Sequence, residues 1–259
     1  MMTGAFILAK KDLASYFRSW IGVFLSGFYF LISGIFFSIL VLSFAKISLN
    51  ASHNAYQGVQ GLGLTRFVFG SFFLNLAIVL IFLVPVLSMR AFAEERKQET
   101  LEMLFTYPLS DFEIVWGKWL SMVWFFELLF VPTVLYVFYI RWVGGSPDWG
   151  PVLGGFLGFW LLGSAYLSLG LFISAISENQ VVSAAVTFSL LVVFWILDWV
   201  VGVTDGPWSL FFAALSPLAH YRDFTLGVVD LSNLAYFIFF NLYFLFLTMR
   251  AVETRNWKG

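Results

Sequence analysis

Long apolar runs alternate with short polar segments along the chain, and six of these runs are long enough to cross a bilayer. A membrane-spanning helix needs about 20 predominantly apolar residues. The runs predict spans at about 21–45, 67–89, 117–140, 152–175, 181–201 and 231–249. Because a backbone in lipid must satisfy its own hydrogen bonds, these lengths and spacings favour helices over barrel strands. We therefore predict an all-α polytopic membrane protein, with residues 1–259 as one transmembrane domain.

Residues 5–20, AFILAKKDLASYFRSW, precede the first apolar run and mix apolar with basic side chains. Phe6, Ile7 and Phe17 alternate with Lys10 and Lys11. This pattern is typical of a helix that lies in the membrane interface. The other interpretation is a first span that begins earlier.

The connection after the fifth run is longer than a simple turn. Ser216 and Pro217 fit an N-cap followed by proline at the first helical position, and Gly227 fits a C-terminal stop. We predict a short helix from about Pro217 to Leu226. The preceding piece, WSLFFAAL, is too short to span and should dip into the outer interface or re-enter the membrane.

The segment 94–110, EERKQETLEMLFTYPLS, carries the densest charge in the chain and lies between the second and third runs. Leu101, Leu104 and Phe105 follow helical spacing and predict a short amphipathic helix over 100–106. Pro108 ends that helix, because the residue before a proline avoids the α conformation.

Two further features of this region concern its surroundings. Ser110 and Glu113 have capping-box spacing and predict the start of the third helix. Four carboxylates precede them, at Glu94, Glu95, Glu99 and Glu102. Because carboxylates are disfavoured beside an anionic leaflet, a partner protein explains this segment better than the membrane surface does.

Composition agrees with a lipid environment. Hydrophobic residues make up 61% of the chain and charged residues 11%, against about 45–50% and about 25% in soluble domains. The net charge of −1 provides no field that would recruit nucleic acid, and the absence of cysteine excludes thiol chemistry. Ten of the fourteen Lys and Arg residues fall on the side that holds both termini, which predicts that this side is cytoplasmic.

Polar groups within the apolar runs are candidate functional residues. Glu127 should lie ~15 Å into the third span, where a carboxylate costs at least ~2.5 kcal/mol. It could serve as a substrate contact, a proton relay or a conformational latch, or it could bond to a neighbouring helix. Asp198 lies at the outer end of its span, which favours interface anchoring. Gly154 and Gly158 form a GxxxG pattern, which fits either a dimer face or packing within the bundle.

The region around the charged segment resembles a known family. Glu94-Glu95-Arg96, Thr100-Leu101-Glu102-Met103-Leu104, Pro108-Leu109-Ser110 and Gly117-Lys118 are similar to the cytoplasmic loop of ABC-2 type transporter permeases. That loop commonly reads E-R-x-x-G-T-L-E-x-L-x-x-x-P and is followed by G-K. The stretch SPLAHYRDFTLGVVDLSN is also similar, and the chain resembles most the gliding-motility-associated branch. Glu99 departs from the family's usual glycine.

The resemblance implies a permease subunit, with export as the expected direction, that is driven by a separate P-loop ABC ATPase. The loop would dock onto that ATPase through Glu94, Glu95, Arg96, Thr100, Leu101, Leu104 and Pro108. ATP and Mg²⁺ would be bound by the partner, so the chain itself needs no cofactor. It also implies a second permease subunit, identical or different, and placement in the bacterial inner membrane with both termini inside.

The chain has no G-x-x-x-x-G-K-[ST] motif of its own, so it is not expected to be an enzyme. An alternative function is an ATP-driven component of a motility, secretion or assembly apparatus that moves no solute, since the same loop would serve both. An auxiliary periplasmic protein is a further expected partner, because no large outer domain occurs within these residues. An intramembrane enzyme or a channel fits less well, because no paired catalytic groups and no filter motif are present.

Overall fold

The structure is a computed structural model that describes residues 3–53, 63–97 and 110–256. Its helices are α1 (Thr3–Arg18), α2 (Trp20–His53), α3 (Ser71–Ser88), α4 (Ala93–Lys97), α5 (Asp111–Phe130), α6 (Val134–Trp142), α7 (Trp149–Ile176), α8 (Gln180–Val203), α9 (Pro207–Leu215), α10 (Pro217–Thr225) and α11 (Leu231–Asn256). A π-helical turn at Arg66–Gly70 leads into α3, and a 3-10 turn at Val131–Thr133 separates α5 from α6. No strand occurs over the described residues.

Within the part of the chain that the structure describes, six helical stretches are long and apolar enough to cross a membrane. They are Trp20–Leu49, Arg66–Glu95, Asp111–Trp142, Trp149–Ile176, Gln180–Val203 and Leu231–Thr254. Each corresponds to one of the six predicted runs, so the prediction of an all-α polytopic membrane protein is confirmed. The helices exceed the apolar runs because helical hydrogen bonding continues into the polar flanks.

Helix α7 lies at the centre of the bundle and packs against α3, α5, α8, α10 and α11. In its most apolar stretch 78% of the residues are buried, against 17% in the corresponding stretches of α2 and α8. Most of the apolar surface of α2 and α8 is therefore left uncovered by the rest of the chain, while α7 is the central packing surface of the bundle.

Glycines on α7 allow this close packing. A Cβ at Gly154 would lie 2.6 Å from the Phe224 carbonyl oxygen, and one at Gly158 would lie 2.5 Å from the Phe224 Cβ. Gly163 faces the Phe126 ring in the same way. The GxxxG pattern thus packs against α10 of the same chain, which resolves the two interpretations in favour of packing within the bundle.

Helix α1 is separate from the first span, because the backbone bends at Ser19 between α1 and α2. It packs against α5, where Gly117 meets the Ala5 carbonyl and the Leu8 side chain. A Cβ at Gly117 would lie 2.9 Å from that carbonyl oxygen. Of the two interpretations of residues 5–20, the distinct helix is therefore the correct one.

The third span starts where its sequence predicts, and a 3-10 turn interrupts it. Ser110 Oγ accepts the Glu113 N–H at 3.3 Å, and Glu113 Oε2 accepts the Ser110 N–H at 3.1 Å, which completes the capping box. Pro132 lies in the 3-10 turn between α5 and α6. Pro85, by contrast, is contained within α3.

Two short helices, α9 and α10, connect the fifth and sixth spans. The predicted helix at about Pro217–Leu226 is confirmed as α10, with Ser216 Oγ accepting the Ala219 N–H at 3.3 Å and Gly227 following at φ +82°. The WSLFFAAL piece forms α9, whose Trp208 and other large apolar side chains are exposed. At nine residues α9 is too short to span a bilayer.

We expect Gly154→Ala to destabilise the bundle, because the added methyl group meets backbone that cannot rotate away. Overpacking of this kind costs about 1–3 kcal/mol. Gly27→Ala is a matched control, since Gly27 is also within a helix but has open space where its Cβ would be. Thermal unfolding in detergent should show a lower midpoint for Gly154→Ala than for Gly27→Ala. Equal midpoints would contradict the close approach of α7 and α10.

Candidate coupling site

The second span ends in a turn held by a neighbouring helix. The span does not continue into the next helix without a break: α3 ends at Ser88 and α4 begins at Ala93. The Phe92 and Ala93 N–H groups donate to Ser174 Oγ at 3.1 and 3.2 Å. That hydroxyl, from the end of α7, also donates to the Met89 carbonyl at 3.4 Å. The Ser174 hydroxyl thus accepts two backbone N–H groups that, in a continuous helix, would donate to carbonyls of the preceding turn.

Lys118, in the second turn of α5, lies at the centre of the site and is 2% exposed. Its Nζ donates to the Ala91 carbonyl oxygen at 2.7 Å. The same Nζ lies 2.7 Å from Glu95 Oε1 and 3.6 Å from Asp12 Oδ2. One ammonium therefore contacts α1, the turn after α3, and α4.

This arrangement meets the requirements of a buried ammonium. An ammonium has three donors and no acceptor, and a buried cation is tolerated only when it is paired and hydrogen-bonded. Removing one member of such a pair leaves the other as an uncompensated buried charge. The cluster of Lys118, Asp12 and Glu95 consequently opposes separation of the three segments that it joins.

A second ion pair lies beside the first. Arg90 donates from Nε and Nη2 to the two carboxylate oxygens of Glu94, at 2.6 and 2.8 Å. Its Nη1 donates to Ser19 Oγ, at the bend between α1 and α2. The bidentate geometry fixes both side chains more firmly than a single contact would. Arg90 therefore links the turn after the second span to the start of the first.

A polar indentation of about 390 Å³ lies between these elements. It is lined by Lys11, Asp12, Ser15, Tyr16, Arg90, Ala91, Glu94, Glu95 and Lys118. At its base the Tyr16 hydroxyl is 3.5 Å from the Leu87 carbonyl oxygen. Burial, and then the nearby Asp12, raise the pKa of Tyr16 above its ordinary value, because both disfavour the phenolate.

The structure describes part of the surface that the sequence predicts for an ATPase. Glu94 and Glu95 pair with Arg90 and Lys118, so internal partners account for two of the four carboxylates assigned to a partner protein. The backbone of Arg96 belongs to α4. The side chain of Arg96, and all of Thr100, Leu101, Leu104 and Pro108, lie outside the described residues.

Sequence reasoning missed several residues of this site, both in the cluster and next to it. Lys118 was noted only as part of the Gly117-Lys118 pair, and Asp12, Arg90 and Ser174 were given no role. One signal was available for Arg90, because Arg90 and Glu94 have the i,i+4 spacing of a helical ion pair. For Lys118 the signal was a cation placed close to the start of an apolar run.

Glu127 bonds to a neighbouring helix. Its Oε1 accepts the Trp160 Nε1–H at 2.6 Å, and both side chains are half-buried between α5 and α7. Asn241 makes a similar link from α11, with Nδ2 donating to Ser164 Oγ at 3.2 Å. These contacts match the interhelical alternative for Glu127.

Asp198 anchors a short helix of its own chain. Its carboxylate is 8% exposed and lies 2.7 Å from the Arg222 guanidinium, whose side chain is 56% exposed. Anchoring at the membrane interface was expected for Asp198 and stays a prediction; the structure instead pairs its buried carboxylate with Arg222 of α10. At the end of the bundle opposite Lys118, an ion pair thus ties α8 to the connection before the last span.

We expect Lys118→Met to lower stability by at least about 2 kcal/mol, because it removes the buried ammonium that lies 2.7 Å from the Glu95 carboxylate, whose side chain is only 22% exposed. The double variant Glu95→Gln/Lys118→Met should lose less than the two single variants added together. Arg250→Met is the control: its pair with Glu253 is exposed and should contribute less than about 1 kcal/mol. Unfolding midpoints in detergent measure all four. Wild-type stability of Lys118→Met would contradict a buried cluster.

For Glu127 we expect Glu127→Gln to retain wild-type stability, because the amide oxygen can accept the Trp160 N–H. Glu127→Leu should lose about 1–3 kcal/mol, since it leaves that donor unsatisfied. Thermal unfolding of the two variants, which have similar size, measures the difference. A loss in Glu127→Gln equal to that in Glu127→Leu would show that the contact does not depend on an acceptor.

Comparison with known proteins agrees with this organisation. A family model described as ABC-2 family transporter protein matches residues 6–252, from α1 into the last span. No curated protein matches the chain. The match does not distinguish the gliding-motility-associated branch, which stays a prediction. With six candidate spans and a family match over nearly its whole length, the chain belongs to the ABC-2 family of transporter proteins and is a multi-pass membrane component of an ABC transporter.

Proposed function

We propose that this chain is the permease subunit of an exporter whose ATP hydrolysis takes place on a separate P-loop ATPase. In this proposal the segment 94–110 docks onto the ATPase and transmits its movement to the membrane helices. Two permease subunits, identical or different, form the membrane part, and two ATPase subunits bind ATP and Mg²⁺ beneath them.

The observation that supports this proposal best is the position of Lys118. Glu95, at the start of the proposed docking segment, is 2.7 Å from Lys118 Nζ, and Lys118 belongs to the third span. Asp12 of α1 is 3.6 Å from the same atom. A displacement of α4 must either carry α5 and α1 with it or unpair a buried ammonium. The geometry therefore favours transmission over independent movement of the loop.

The cluster divides the predicted surface into two parts with different roles. We assign transmission to Glu94 and Glu95, because both face cations of their own chain. We assign docking to Arg96, Thr100, Leu101, Leu104 and Pro108. The apolar spacing of Leu101 and Leu104 gives the segment a side that a groove on the ATPase would cover.

We further propose placement in the bacterial plasma membrane with both termini in the cytoplasm. The excess of Lys and Arg on the side of the termini supports this orientation. The second subunit would contact α2 or α8, because these two spans are the least buried within the chain. An auxiliary periplasmic protein would approach the opposite face, where α9 and α10 lie.

Co-purification tests the docking proposal. The tagged protein would be extracted in mild detergent from its native cell, its companions identified, and ATP hydrolysis assayed. We expect a P-loop subunit to accompany the wild type and to be lost from Leu101→Asp/Leu104→Asp, because the two carboxylates would prevent apolar burial. Thr254→Asp is the control, since it adds a carboxylate at an exposed position near the end of α11.

The two variants should unfold at the wild-type temperature in detergent, which separates a docking defect from a folding defect. An ATPase that binds Leu101→Asp/Leu104→Asp as well as it binds the wild type would overturn the proposed docking site. If Thr254→Asp also loses the ATPase, the loss reflects added negative charge in general and does not locate the docking site in the segment 94–110.

A further inference from the structure

The exposed side of α1 combines aromatic and basic side chains. Phe6 and Phe17 lie at its edge, where their rings are 5.9 Å from Trp124 and 5.2 Å from Phe125 of α5. Successive helical residues advance by 100°, which groups its exposed positions on one face. We call this surface the lipid face of α1; it consists of Phe6, Ile7, Lys10, Ala14, Phe17 and Arg18, all exposed. Trp20, at the start of α2, is 88% exposed and continues it.

The opposite face of α1 is fixed by packing, so the lipid face cannot rotate inward. Ala5, Leu8, Ala9 and Tyr16 are buried, with Ala5 and Leu8 against Gly117 of α5. The close approach at Gly117 leaves no room for α1 to turn about its axis.

The charges of α1 are divided between these two faces. Asp12 is the helix's one carboxylate, its side chain is 17% exposed, and it points toward Lys118. Lys11 lies at the edge and lines the polar indentation with Glu94 and Glu95. Lys10 and Arg18 remain on the lipid face among Phe6, Ile7 and Phe17, and no acid of α1 shares that face.

We propose that the lipid face of α1 binds anionic phospholipid headgroups and selects them over zwitterionic ones. Lys10 and Arg18 donate to phosphate oxygens, while Phe6, Ile7 and Phe17 insert among the acyl carbonyls. About 1 kcal/mol for each cation near an anionic leaflet corresponds to a preference of roughly fivefold, so the two cations together contribute roughly twenty-five-fold. The pairing of Asp12 with Lys118 keeps a carboxylate from opposing this attraction.

This inference requires only that α1 lie on the membrane surface next to the first span. It does not depend on which leaflet α1 occupies or on ATP coupling. Its failure would leave co-purification of an ATPase unaffected, and loss of the ATPase would leave lipid binding unaffected.

A local probe provides the test, because the chain has no cysteine and a single one can be introduced cleanly. Ala14→Cys, at the centre of the lipid face, would carry a nitroxide label in nanodiscs of phosphatidylcholine with and without phosphatidylglycerol. We expect phosphatidylglycerol to lower the label's mobility and its accessibility to a water-soluble relaxation agent. When Lys10→Gln/Arg18→Gln is introduced into the labelled Ala14→Cys protein, the response of the label to phosphatidylglycerol should be abolished. In the labelled protein without these substitutions, raised salt should weaken the response.

Native mass spectrometry of the same proteins gives the second readout, the ratio of phosphatidylglycerol to phosphatidylcholine retained after extraction from the mixed membrane. Lys10→Gln/Arg18→Gln should lower this ratio by roughly twenty-five-fold. The matched control is Lys46→Gln/Arg141→Gln, which also removes one exposed lysine and one exposed arginine, but at the other ends of their spans. Unfolding midpoints should be unchanged, because all four side chains are exposed.

Two results would overturn the proposal. One is an Ala14→Cys label that reports the same environment with and without phosphatidylglycerol. The other is an equal loss of phosphatidylglycerol from both double variants, which would indicate general attraction to charge and no site on α1.

Discussion

The ammonium group of Lys118 is held out of water where three segments of the chain meet, and a charge in that position sets conditions on all of them. It needs acceptors on several sides, and the chain provides a carboxylate from α1, a carboxylate from α4 and a carbonyl from the turn between α3 and α4. Ser174, at the end of α7, accepts hydrogen bonds from the backbone of that turn and holds it in place. The most buried helix of the bundle therefore determines where the ammonium finds its partners.

The two ends of the bundle and its middle are held by different interactions. Ion pairs join elements at the ends, at Lys118 on one side and between Asp198 and Arg222 on the other. The middle is joined by single hydrogen bonds, such as that from Trp160 to Glu127, and by close packing at glycines. This distribution suits a membrane protein, because an ion pair in the middle of the bundle would require two charged groups to be removed from water. It also makes the ends the places where a partner's charges can act.

Features of local origin could be predicted from the sequence, and features that depend on distant contacts could not. The six spans, the Ser110 cap and helix α10 each follow from neighbouring residues, and all three predictions are confirmed. The partners of Lys118 come from segments far away in sequence, so no spacing rule could identify Asp12. The turn after Ser88 depends on a hydroxyl more than eighty residues later. Gly154 and Gly158 were ambiguous because the same spacing serves contacts within and between chains.

The glycine lining of α7 has a consequence for how this protein can change over generations. Where the added carbon would meet a backbone atom of another helix, as at Gly154, a single nucleotide change to alanine has to be matched by a shift of α10. The lipid-facing positions of α2 and α8 carry no such condition. Inherited variation should therefore accumulate on the outer spans, which are free to adapt to new lipids and partner subunits, while the central helix keeps its small residues.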